Sequence, residues 1–366
     1  MRIPSLLDLE TEQHAVADLP FHGSHVIIGT PGSGKTVMAV YRAWALATAG
    51  RDVTLLTRSH LLHQYLAQMA PDLTEALHTT TFHRWIRDFW RGHFRIDPPH
   101  IDDEGWCYDW ADMQRDCVLR EVRSTASLVI DEGQNLPVGF YQLCRLLGVN
   151  VTVFADEAQR IGDEESTVSE ISRCLGVHAN PLALWGNRRN SREIAMLASE
   201  FRTRNQCEMP VPTRTGSTPT VLKVPSLEYL LTGISRYFGA HPERSIGIVC
   251  RSTRLVRYVQ SGLTRLGLSQ YTQAYVYDDR YRKTVDFSTR PIRIVNTASM
   301  KGLEFDSVFV PDMDAYTEDP TGVDARLRLF VLCTRAREDL HFAHRGPREP
   351  AILSSIPESL LARHVG

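Results

Sequence analysis

The chain has 366 residues, which at roughly 150 residues per domain is enough for two globular units, each with its own core. Hydrophobic residues make up 43% and charged residues 23%, a globular balance that argues against wholesale disorder or fibrous repeats. With 41 lysines and arginines against 43 aspartates and glutamates the formal charge is −2, so any surface for nucleic acid must be a local patch and not a basic coat. No apolar run approaches the ~18 residues of a membrane span. The N-terminus, MRIPSLLDLETEQ, places acids where a signal peptide needs an apolar stretch. A cytoplasmic protein without a membrane partner is expected. Seven cysteines (Cys107, Cys117, Cys144, Cys174, Cys207, Cys250 and Cys333) are scattered with no C-x-x-C pair, the pattern of reduced, mostly buried thiols and not of a zinc or disulfide framework.

In chain order, short β-rich runs alternate with helical stretches, the pattern of parallel α/β architecture. The first series of expected strands is His25–Gly29, Val53–Thr57, Leu128–Asp131 and Val151–Ala155. Each is nearly continuous in Val, Ile, Leu or Thr, as strands covered on both faces should be. A second series comprises Leu182–Trp185, Thr220–Val224, Ile246–Cys250, Ile292–Asn296, Ser307–Val310 and Leu340–Ala343. A hinge is expected around Val177–Pro181, between the two series.

The first expected strand runs into Gly29-Thr30-Pro31-Gly32-Ser33-Gly34-Lys35-Thr36 and then a helical stretch, Val37–Thr48, with Gly50 as its stop signal. This is G-x-x-x-x-G-K-[ST] in the strand-loop-helix context that gives it meaning. Glycines let successive N–H groups and the helix N-terminus face phosphates. Lys35 suits the β- and γ-phosphates, and the Thr36 hydroxyl suits Mg²⁺. A phosphate loop also needs a carboxylate for the metal and a base for water. Ser127-Leu128-Val129-Ile130-Asp131-Glu132 ends a buried-type strand in two acids. Asp131 suits the metal shell, and Glu132 suits positioning and deprotonating the attacking water.

Asp131-Glu132-Gly133-Gln134 resembles the D-E-x-Q motif of superfamily 1 helicases, the UvrD/Rep-like group, and other stretches resemble that family's motifs in order. Glu12-Gln13 is similar to the Q-motif, which implies that Gln13 reads the adenine edge. Phe154-Ala155-Asp156-Glu157-Ala158-Gln159 resembles motif III and implies that Gln159 senses the γ-phosphate. Asn187-Arg188-Arg189-Asn190, followed by Ile194, resembles N-Y-R-S-x-x-x-I, with Arg189 at the arginine and Arg188 where relatives stack a tyrosine on adenine. Lys301-Gly302-Leu303-Glu304-Phe305-Asp306 is similar to motif V, implying a ribose contact for Glu304. Val331-Leu332-Cys333-Thr334-Arg335-Ala336-Arg337 is similar to V-A-L-T-R-A and makes Arg335 the arginine finger. These stretches span residues 12 to 337.

The resemblance implies two RecA-like P-loop NTPase domains with parallel sheets flanked by helices. They would be residues 1–178, with a short helical insertion at about 84–123, and residues 179–366, with a minimal insertion at about 266–290. It further implies ATP and Mg²⁺ as cofactors, with Lys35, Asp131, Glu132 and Gln159 in the first domain completed by Arg189 and Arg335 of the second. An arginine finger typically adds about 10³–10⁵-fold in rate.

For nucleic acid, Thr79-Thr80-Thr81-Phe82-His83-Arg84-Trp85 resembles the family's T-x-H segment, which marks Thr81, His83 and Arg84 as backbone contacts. Thr57-Arg58 takes the place of motif Ia, and Thr297 lies in the segment before motif V. Arg84, Arg87, Arg91 and Arg95 recur every three or four residues, interleaved with Trp85, Phe89, Trp90 and Phe94. Such interleaving suits either a single-strand groove or an amphipathic helix with its aromatics in the core.

The chain departs from the family after Gln159, where Arg160-Ile161-Gly162-Asp163-Glu164-Glu165 has no base-stacking aromatic, and at Asn296-Thr297-Ala298, which lacks the histidine of T-x-H. The expected protein is a minimal ATPase motor that binds single-stranded nucleic acid, DNA in preference to RNA, and moves 3′→5′ or unwinds. The alternative is a regulatory or sensor ATPase subunit of a nuclease-containing repair or anti-phage defence complex.

Overall fold

A computed structural model describes residues 9–57, 77–102, 107–156, 166–203, 210–275, 289–297, 299–300 and 303–365. The chain forms two compact units, Arg2–Trp185 and Gly186–Gly366. Each contains a parallel sheet flanked by helices.

In the first unit the strands are β1 (His25–Gly29), β2 (Val53–Thr57), β3 (His78–Thr81), β4 (Ser127–Ile130), β5 (Asn150–Ala155) and β6 (Leu182–Leu184). Their spatial order is β3-β2-β4-β5-β1-β6, with every pair parallel. All residues of β2 and β4 are buried, as runs composed almost wholly of Val, Ile, Leu and Thr are in a sheet covered on both faces. One face packs Leu128, Ile130, Val151 and Val153 against Trp85, Ile86, Trp90, Phe140 and Leu143 from the helices Phe82–Phe94 and Val138–Leu147. The expected insertion at 84–123 therefore supplies core. Its helices Phe82–Phe94 and Trp110–Leu119 bury Phe94, Met113 and Cys117 in the same cluster.

The parallel arrangement also places the chemistry. Strands β4, β5 and β1 are neighbours, with Ile130 in register with Val153 and Ile28 with Ala155. Their C-terminal ends, carrying Asp131, Asp156 and Gly29, emerge on one edge of the sheet, where open α/β sheets place ligands.

The second unit holds β7 (Thr220–Lys223), β8 (Ile246–Cys250), β9 (Thr272–Tyr275), β10 (Ile292–Asn296), β11 (Phe305–Val310), β12 (Ala336–His344) and β13 (Ala362–Val365). Their order is β13-β7-β12-β11-β8-β10-β9, again parallel throughout. Its core joins Ile246, Ile248, Ile292, Ile294 and Phe309 to Leu230, Ile234, Val256 and Val259 on the helices Leu227–Ala240 and Thr253–Arg265.

Two expectations need correction. Leu182–Leu184 pairs with β1, Ile27 opposite Leu182 and Gly29 opposite Leu184, so this strand closes the first sheet and does not open the second. Trp185 lies outside the strand, and Leu182–Trp185 belongs to the first compact unit. A three-residue apolar run carries no mark of which sheet it joins; pairing decides. Strands β3, β9 and β13, which the sequence pattern did not reveal, all lie at sheet edges. Their sequences, HTTT, TQAY and ARHV, are short and polar, as edge strands tend to be.

Cys117, Cys144, Cys250 and Cys333 are buried free thiols, Cys107 and Cys174 are half-buried, and Cys207 lies outside the described residues. Among the described residues no helix is long and apolar enough to cross a membrane.

Candidate functional site

The loop after β1 depends on its glycines. Gly32 and Gly34 have φ of +82° and +93°, left-handed conformations that only glycine adopts cheaply. At Gly29 a Cβ would lie 2.4 Å from Ser33 Oγ and 3.1 Å from the Leu184 carbonyl. The helix Lys35–Thr48 then starts behind Gly34, with no side chain capping its first N–H groups. An uncapped N-terminus behind a curled glycine loop is a ready anion site. Thr30 Oγ1 and Ser33 Oγ are buried there with no hydrogen-bond partner among the described residues. Lys35 is buried, and its ammonium donates to the carbonyls of Gly29 at 2.8 Å and Thr30 at 3.0 Å and to Asp156 Oδ2 at 3.1 Å. The cation is thus held at the mouth of the loop.

Beside it the Thr36 hydroxyl donates to Asp131 Oδ2 at 2.8 Å. Asp131 is only 1% exposed, and its Oδ1 has no hydrogen-bond partner among the described residues. Burial and the neighbouring Glu132 charge push its carboxyl up to about 7, against the opposing pull of the Thr36 hydrogen bond and the Lys35 charge. A buried carboxylate one bond short, next to a hydroxyl, is an oxygen donor set for a small hard cation. On that ground Thr36 and Asp131 fit Mg²⁺.

Glu132 follows with φ of +56°. Gln134 ties its surroundings together: its Nε2 donates to Glu132 Oε2 at 2.6 Å, and its Oε1 accepts from the Asp156 backbone at 3.0 Å. Sequence reasoning gave neither Gln134 nor Asp156 a role of its own. The available signal was position, since Asp156 ends the strand next to β1. Gln159 and Arg58 lie outside the described residues. Gln13 is buried, and its Oε1 accepts from the Glu10 backbone at 3.2 Å, capping the start of its own helix, Thr11–Ala17.

In the second unit three distant stretches converge. Arg189 Nε donates to Glu304 Oε2 at 2.7 Å and its Nη1 to the Thr334 carbonyl at 3.4 Å. The Asn190 amide donates to the carbonyls of Thr334 and Ala336, and Arg337 pairs with Asp306 at 3.2 Å. Burial works to raise the Glu304 carboxyl, but the Arg189 guanidinium overrides it and holds the group below the usual glutamate value. Arg335, expected as a finger, is 1% exposed and donates to the carbonyls of Val331 at 3.0 Å and Leu303 at 3.3 Å and to Thr334 Oγ1 at 3.2 Å. Arg188 is exposed.

Of the residues expected to meet nucleic acid, Thr57 and Thr81 lie directly in register at the ends of β2 and β3. His83 Nδ1 is 3.2 Å from the Tyr108 hydroxyl, and Arg84 is exposed beside Asp88. Thr297 follows β10 in the second unit and donates its N–H to the Cys250 carbonyl at 3.1 Å. Arg87, Arg91 and Arg95 are exposed with Arg84, whereas Trp85, Trp90 and Phe94 are buried and Phe89 stacks on Trp85. The aromatics belong to the core, and the arginines form the outer face.

No family model and no curated protein matches the chain. Among solved structures, it is similar to the C-terminal domain of a possible DNA helicase from Lactobacillus plantarum WCFS1. The identity is 19% and the TM-score 0.38, over 49% of this chain and 99% of that one.

Proposed function

We propose that the chain is a Mg²⁺-dependent ATP hydrolase of the superfamily 1, UvrD/Rep-like type, built from two RecA-like domains. It binds single-stranded nucleic acid, DNA in preference to RNA, and couples hydrolysis to 3′→5′ movement or strand separation. The observation that carries this reading is the unsatisfied Asp131 carboxylate bonded to Thr36 beneath the glycine loop. A phosphate cradle and an oxygen donor set for a cation stand side by side there.

The loop N–H groups of Gly29 to Thr36 would hold the phosphate chain, and Lys35 would exchange its present acceptors for phosphate oxygens. Mg²⁺ on Thr36 and Asp131 would neutralise phosphate charge. Glu132 would orient the attacking water and accept its proton. Gln13, Arg188 and Glu304 would read the base and ribose, and Gln159 the γ-phosphate. Arg189 and Arg335 would stabilise the transferring phosphoryl group, which requires the Arg335 guanidinium to leave the carbonyls of Val331 and Leu303. Thr57, Arg58, Thr81, His83, Arg84 and Thr297 would follow the nucleic-acid backbone.

The test is ATP hydrolysis with and without single-stranded DNA, single-stranded RNA and duplex DNA. Lys35→Ala should lower turnover by about 10³-fold or more, and a single strand should stimulate the native chain. Hydrolysis indifferent to all three would favour the second reading, a sensor ATPase gated by a protein partner such as a nuclease. The absence of a base-stacking aromatic from Arg160 to Glu165 already points that way.

A further inference from the structure

Glu132 sits in a backbone conformation that a side-chain-bearing residue does not choose for itself. Its φ of +56° is left-handed, which brings Cβ against the following carbonyl. Something outside the residue must hold the turn. Gln134 restrains the carboxylate itself, at 2.6 Å. The backbone is restrained one residue further on. The Gly133 carbonyl accepts from the Leu136 backbone at 3.1 Å and from the Tyr141 hydroxyl at 2.6 Å.

Tyr141 lies on the helix Val138–Leu147 and is fully buried. Burial holds its hydroxyl well above its ordinary titration range, so it stays a donor across working pH. Gly133 has no left-handed backbone of its own, and its missing side chain serves a close approach. A Cβ there would stand 2.8 Å from the Tyr141 hydroxyl and 2.3 Å from Val153 Cγ1. The missing side chain at 133 thus leaves room for both the Val153 methyl and the Tyr141 hydroxyl.

We infer that Tyr141 is a positioning residue for the hydrolytic step: through the Gly133 carbonyl it fixes the turn that aims Glu132 at the attacking water. This rests on the ATPase reading above. Tyr141 is fully buried and acts through a backbone carbonyl, so its effect should fall on turnover and spare nucleotide binding.

The experiment measures kcat and KM for ATP hydrolysis and the thermal melt for the native chain, Lys35→Ala, Glu132→Gln, Tyr141→Phe and Gly133→Ala. Tyr141→Phe removes one hydroxyl, keeps the ring and leaves the Leu136 bond to the Gly133 carbonyl. It should lower kcat roughly 10-fold, as slight misplacement of a catalytic group does, with KM for ATP within about twofold. The loss should fall on kcat with KM held, because Glu132 no longer meets its water in one geometry. Gly133→Ala, whose Cβ crowds Val153 as well as the hydroxyl, should lower kcat at least as much and also lower the melt. A purely structural tyrosine would lower the melt without separating kcat from KM. If Lys35→Ala and Glu132→Gln are inactive while a folded Tyr141→Phe or Gly133→Ala keeps native kcat, the role of Tyr141 is overturned and the ATPase reading stands. If Lys35→Ala and Glu132→Gln hydrolyse like the native chain, both fall together.

Discussion

Asp131 is a carboxylic acid sealed from water with one oxygen left without a hydrogen bond, which is costly unless a cation completes it. Its carboxyl sits near 7 against an unfolded value of 3.8. The metal-free fold therefore loses stability as pH rises from about 4 towards 7 and levels off above. On the proposed reading Mg²⁺ displaces that proton, so its affinity should be weaker at pH 6 than at pH 8. Titration calorimetry at both values checks this, and Asp131→Asn should abolish the dependence. Arg189 and Glu304 behave in the opposite sense. The depressed Glu304 carboxyl adds stability that is present above 4.5 and lost as pH falls through its lower folded value. Because both side chains are largely buried, Arg189→Ala should cost about 3–5 kcal/mol in chemical denaturation. An Arg189→Met, Glu304→Leu double variant should regain much of that stability without regaining ATPase activity.

At the scale of single elements, the helix Phe82–Phe94 shows two readings of one sequence resolved by burial. Its apolar positions face the core and its arginines face water, so its stability and its expected ligand contacts are separable. Trp90→Ala, which empties a fully buried site, should cost about 3–5 kcal/mol. Arg84→Ala combined with Arg87→Ala should leave the melt nearly unchanged but weaken single-strand binding. Each arginine that meets a phosphate should flatten the slope of log affinity against log salt by roughly 0.7. A salt titration by fluorescence anisotropy measures it. The arginine stripe was legible from spacing alone, whereas the assignment of Trp85, Trp90 and Phe94 to the core needed the packing partners. The strands carrying the chemistry were legible for a related reason. β1, β2, β8 and β10 lie inside their sheets and are rich in Val, Ile and Leu, whereas the edge strands β3, β9 and β13 are not.

For the whole molecule, the consequence lies in where one unit ends. β6 shields the Ile27–Gly29 end of β1, and a Cβ on Gly29, where the glycine loop begins, would lie 3.2 Å from Leu184 Cβ. A fragment ending at Trp185 should therefore fold and keep an intact loop. One ending at residue 178 exposes β1 as an edge and should show a lower denaturation midpoint and weaker nucleotide binding. Comparison of the two fragments by urea melts and nucleotide titration decides it.

The order of amino acids determined by itself what depends on local chemistry: the α/β class, the interior strands, the glycine loop with Lys35 and Thr36, and the acids at Asp131 and Glu132. These are short-range matters, because backbone freedom at glycine, strand burial and the functional group of a side chain are properties of a few consecutive residues. The tertiary structure decided what depends on neighbours distant in sequence. It paired β6 with β1, set Asp156 against Lys35 across 121 residues, left Asp131 one bond short, turned Arg335 onto its own unit's carbonyls and brought the Tyr141 hydroxyl to Gly133. Each of these follows from strand order and side-chain packing, which no local pattern encodes.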